Sequence, residues 1–152
     1  MKFGSPMHAR EDGDHVGGKQ FVANLALAGG ADAVMFEKCG CDTVVIKRVN
    51  GVEHLVGVEW EKGSRNVVRN VTRDIEQLNC LMVVVVAGNE STQLAIVARL
   101  EKYLPEKYGN RVLVVGAKSL SENVFSKIFN VWLRPAGAVD IITERRCTVS
   151  AD

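Results

Sequence analysis

The sequence predicts an α/β fold, a single mixed β-sheet flanked by helices. Three observations carry this. Asn50-Gly51 stands between two apolar runs rich in β-branched residues. That is a strong hairpin signal, because a type I′ turn needs positive φ at both central residues. Residues 81–87 and 111–116 are nearly continuous apolar runs, as strands covered on both faces read. Between and after them lie segments whose apolar residues recur every three or four positions, which makes βαβ units.

Taken in order, residues 1–16 read as a polar arm. A helix over 17–28 places Phe21, Val22, Leu25 and Ala28 at helical spacing and stops at Gly29-Gly30. Residues 33–37 read as a first strand, 38–41 as a turn and 42–62 as the hairpin. Ser64 is the expected N-cap of a helix over 65–78. That helix buries Val67, Val68, Val71, Ile75 and Leu78 and carries Arg65, Arg69 and Arg73 on its other side. Then come a buried strand at 81–87, a turn and cap at 88–91, and a helix over 92–104. A second buried strand at 111–116 precedes a last helix over 119–133. The layout is an arm (1–16), one domain (17–134) and a tail (135–152), with 139–142 able to add an edge strand.

At 152 residues the chain is long enough for one domain with a real core. The formal net charge of +1 neither favours nor excludes nucleic acid, so any basic surface must be local. The four cysteines are Cys39, Cys41, Cys80 and Cys147. The Cys39-Gly40-Cys41 pair has no second pair at zinc-site spacing, and reduced thiols in a cytoplasmic protein are expected. No apolar run reaches ~18 residues and residues 1–15 hold no apolar core, so neither a membrane span nor a signal peptide is expected.

The two-residue turn fixes the hairpin register. Val49 faces Val52, Arg48 faces Glu53, Ile46 faces Leu55 and Val44 faces Gly57. Extended to the open end, that register sets Asp42 opposite Glu59, with Glu61 on the same face and Trp60 on the other. Directly opposed Cβ atoms lie about 4.5–5.5 Å apart, and like charges so placed repel. A fold tolerates this if a cation sits between the carboxylates or if some of them hold protons.

This element order and these acids resemble the PD-(D/E)XK nuclease superfamily, whose members include restriction endonuclease-like and Holliday-junction-resolvase-like proteins. Its αβββαβ core matches residues 17–88, leaving a C-terminal αβα extension. Asp42 matches the Asp that opens the second strand; Glu59 and Glu61 fall on the Glu-x-Lys positions of the third. The resemblance implies a Mg²⁺-dependent (or Mn²⁺-dependent) DNA endonuclease, with Asp42, Glu59 and Glu61 as catalytic residues and metal ligands. It implies that Lys62, Arg65, Arg69, Asn70 and Arg73 bind nucleic acid, that Lys19 and Gln20 are possible auxiliary residues, and that the protein dimerises to cut both strands. The sequence departs from the family at Cys41, where a proline is usual, at Glu61 in place of Lys, and at Gln20, where resolvase-like members carry Glu. These departures motivate an alternative, a catalytically inactive module on the same fold that binds nucleic acid or a partner protein. A third reading places a nucleotide or small ligand at the loop 87–91, ahead of a helix N-terminus.

Overall fold

The computed structural model describes residues 13–132 and 148–149. The elements run α1 (Gly13–Ala28), β1 (Ala33–Lys38), β2 (Cys41–Val49), β3 (Val52–Glu61), α2 (Val67–Glu76), β4 (Met82–Ala87) and α3 (Glu90–Tyr103). A 3₁₀ turn (Glu106–Arg111), β5 (Val112–Gly116), α4 (Glu122–Lys127), a wider π turn (Ile128–Trp132) and the two-residue β6 (Thr148–Val149) complete it. The strands form one mixed sheet in the order β1-β2-β3-β4-β5-β6. β1, β2 and β3 are antiparallel neighbours, and β4, β5 and β6 follow parallel to β3.

The turn at Asn50-Gly51 takes the conformation its residues favour, with φ of 52° and 79°. It sets the expected register from Val49–Val52 through Arg48–Glu53 and Val44–Gly57 to Thr43–Val58. β4 is buried at every position, and β5 at all but its last. Helices on both faces explain this. α1 and α4 cover one face, where Val22, Ala26, Phe125 and Ile128 pack on Val45, Val56, Val84 and Val115. α2 and α3 cover the other, where Val71, Ile75, Ile96 and Leu100 pack on Val44, Val83, Val85 and Val114.

Several boundaries differ from the expectation for local reasons. α1 reaches back to Gly13. α2 begins at Val67 after Asn66, which makes no side-chain cap; Ser64 instead offers its carbonyl to the Val67 N–H. α3 starts earlier than read because Asn89 caps it, accepting from Thr92 N at 2.8 Å. The possible strand at 139–142 lies outside the described residues, and the strand beside β5 is Thr148–Val149. β1, at the sheet edge, ends irregularly: Glu37 has φ of 54°, and the following turn holds Cys39 and Gly40 at 49° and 88°.

Two neighbouring glycines of α1 test this packing. A Cβ on Gly18 would lie 2.8–3.0 Å from the Trp60 ring, whereas Gly17 faces open space. Gly18→Ala is expected to destabilise the protein by about 1–3 kcal/mol through overpacking. Gly17→Ala is expected to stabilise it by about 0.5–1 kcal/mol through helix propensity. Urea denaturation of the two variants checks the opposite signs.

Candidate functional site

The site is built where the end of β3 passes beneath α2. Glu59 and Glu61 alternate with Trp60, so both carboxylates turn toward α2 while the indole turns toward α1. Both are buried, at 2 % and 8 % exposure. Helix α2 answers with polar groups. Arg73 Nη2 donates to Glu59 Oε2 at 3.0 Å, and Asn70 Nδ2 donates to Glu61 Oε2 at 2.9 Å. Arg73 also reaches Asp74 Oδ1 from Nε and Nη2, at 3.2 and 3.1 Å. Its Nη1 contacts Asn70 Oδ1 at 3.4 Å. The two glutamates of β3 and three residues of α2 thus form one connected polar layer inside an apolar face.

Asp42 takes a different place from the one the register implied. The β2–β3 ladder stops at Thr43–Val58. Beyond it, Asp42 Oδ2 accepts the backbone N–H of Trp60 at 2.9 Å, an acceptor role normally filled by a strand carbonyl. The residue that enters the layer is Cys41. Its thiol is fully buried and donates toward Thr43 O at 3.3 Å. A thiol is cheaper to bury than a further carboxylate among Glu59 and Asp74.

Among the described residues, the group of three Cys, Asp or Glu side chains close enough to share an ion is Cys41, Glu59 and Asp74, whose ligand atoms lie within 4.8 Å of one another. Asp42, Glu59 and Glu61 are each hydrogen-bonded to a protein group, namely Trp60 N, Arg73 Nη2 and Asn70 Nδ2. Asp74 was missed in the sequence, yet the signal was present. It falls on the buried stripe of α2 with Val67, Val71 and Ile75, where a carboxylate has no place unless it is paired.

No family model matches this chain, and neither the curated proteins nor the solved structures yield a match.

Electrostatics follow from burial. Glu59 is held well above the ordinary carboxylate range, first by desolvation, then by a shared hydrogen bond and charge repulsion with Asp74 and by the charge of Asp42; Arg73 acts in the opposite sense. Burial likewise pushes the Cys41 thiol up, helped by the charges of Glu59 and Asp74. Cys80, which borders the same layer, is pushed up to about 12, mostly by desolvation.

The remaining expected site residues separate. Lys62, Arg65 and Arg69 are exposed, while Arg73 turns inward. Lys19 is buried in α1 and ion-paired with Glu37 of β1. Gln20 donates to Asn24 on the same helix at 3.1 Å. The Cys39-Gly40-Cys41 pair is split between outside and inside, with Cys39 exposed and Cys41 buried. Gly40 lies against Arg73, and a Cβ there would meet Nη1 at 2.9 Å. At the loop 87–91, Asn89 fills the first turn of α3 with its own side chain.

Two outcomes are expected. A glutamate whose pKa is raised on folding favours the folded state while protonated and opposes it once ionised. In chelator-treated protein, stability should therefore fall as pH rises from 4.5, the ordinary value, toward the higher folded value. Glu59→Gln should flatten that decline in urea melts followed across pH. Arg73→Ala leaves two buried acids without their cation and should cost about 3 kcal/mol at neutral pH. The same melts measure it.

Proposed function

We propose that this chain is a nucleic-acid-binding module on a PD-(D/E)XK-type core, in which the acids of the motif positions serve structure rather than phosphodiester hydrolysis. The observation that carries this reading is the inward turn of Arg73, which neutralises Glu59 and Asp74 from within the fold. The element order α1-β1-β2-β3-α2-β4 supports the core. The antiparallel β1-β2-β3 arrangement with β4 parallel to β3 accords with it.

The binding surface would be the approach to α2. Lys62, Arg65 and Arg69 are exposed there, before the helix and on its first turn. α2 has no acidic residue in its first turn and no side-chain cap on Asn66, so the positive end of its dipole adds to these charges. Arg65, in the turn that leads into α2, and Arg69, on its first turn, lie close enough in the chain to contact phosphates of one strand. This surface reads charge and spacing, and it implies affinity for a nucleic-acid backbone with little sequence preference.

A second reading, Mg²⁺-dependent hydrolysis by Asp42, Glu59 and Glu61, is favoured by one observation: the charge of Asp42 acts on Glu59, so the acids share a neighbourhood. One experiment separates the two. Anisotropy titrations with labelled single- and double-stranded DNA should give binding that weakens with salt. The logarithmic slope should shrink by about 0.7–0.9 for each phosphate contact removed in Lys62→Ala, Arg65→Ala and Arg69→Ala. Incubation of the same DNA with Mg²⁺ or Mn²⁺ should leave it intact. Cleavage lost in Asp42→Ala would replace the first reading by the second. Binding by none of the nucleic acids would overturn both.

A further inference from the structure

Arg73 binds only part of each acid it touches. It holds Oε2 of Glu59 and Oδ1 of Asp74. Asp74 Oδ2, although Asp74 is fully buried, receives no fixed N–H or O–H donor, and the one group that can share a proton with Asp74 is the equally buried Glu59. That oxygen lies close against Gly57, where there is no room for a side chain. The position a Cβ would take there lies 3.2 Å from Asp74 Oδ2, 3.2 Å from Cys80 Sγ and 3.4 Å from Cys41 Sγ. A buried oxygen without a fixed donor is costly, and two sulfurs beside it repay little of that cost.

We propose that Cys41, Glu59 and Asp74 form a buried structural site for a thiophilic divalent ion such as Zn²⁺. Their ligand atoms already lie within 4.8 Å of one another. Bonds of about 2.0–2.3 Å in a tetrahedral site set ligand atoms about 3.3–3.8 Å apart, so closing the site takes at most about 1.5 Å between any two of them. A thiolate with two carboxylates selects Zn²⁺ or Co²⁺ over Mg²⁺, because Mg²⁺ prefers six oxygens and keeps its waters. Cys80 is the next soft donor in reach. Arg73 orients both carboxylates from outside, as second-layer groups do at metal sites.

With the ion bound, charge balances: one divalent cation plus Arg73 offset a thiolate and two carboxylates. Burial of every ligand fits an ion that enters as the chain folds and contributes to stability. The site is independent of the proposed nucleic-acid surface.

The test uses the full chain, reduced, stripped of metal and titrated with Co²⁺. The expected result is binding of a single equivalent, with a thiolate-to-cobalt charge-transfer band in the near ultraviolet that Zn²⁺ abolishes. Zn²⁺ should also raise the melting temperature. Cys41→Ser should lose the band, and Asp74→Asn, which keeps both sulfurs, should weaken binding by more than about 10-fold. Cys39→Ser and Cys147→Ser should leave it unchanged. Circular dichroism checks that each variant folds, and if Cys41→Ser does not, Asp74→Asn and the wild-type band decide. A folded wild type that gives no band overturns the proposal. So does a band that survives Cys41→Ser or disappears in Cys39→Ser.

Discussion

The guanidinium of Arg73, wedged between Glu59 and Asp74, is the interaction on which the α2 side of the molecule depends. β3 brings Glu59 to a face that is otherwise valine and isoleucine, and α2 brings Asp74 to the same place. Two acids buried together would drive helix and sheet apart. One cation, reaching in from a side chain that keeps 21 % exposure, holds them together and leaves its own charge partly in water. Asn70 extends the arrangement to Glu61, so α2 is located by directional bonds as well as by apolar packing. Directional bonds fix the rotation and height of a helix, whereas valine-rich contacts alone tolerate sliding.

The proposed functional surface sits on the outside of that same helix. α2 therefore has an inner half that answers the sheet and an outer leading edge that meets solvent, and the two share a backbone. Arg65, Arg69 and Arg73 follow one another at four-residue spacing in the chain, yet Arg65 and Arg69 face water while Arg73 faces the buried acids. The first turn carries Val67 inward and Arg69 outward, and the last turn points Arg73 at the buried acids.

Much of the architecture was legible in the chain. The hairpin could be read because Asn50-Gly51 permits one tight turn and that turn permits one register. β4 and β5 could be read because strands covered on both faces have little room for polar residues. The site was legible only up to Thr43. There the β2–β3 ladder ends, so the register counted from the turn no longer tells which side chain faces α2. Cys41 took the place counted for Asp42. Asp74 was visible as a misplaced charge on an apolar stripe, but its meaning needed Gly57, whose missing side chain is felt only once β3 lies beneath the helix. Arg73 could not be told from Arg69 by spacing, because only the acids under α2 distinguish them.

The irregular end of β1 has a consequence for how copies of this protein meet. An outermost strand offers its unpaired N–H and C=O groups to any other chain. Here the strand is only six residues long, and Glu37 turns its backbone out of the extended conformation one residue before the end. Glu37 and Lys38 place charge at the same spot. A neighbouring molecule attempting to continue the sheet would lose its alignment after a few residues, so this rim is poorly suited to seeding fibrils.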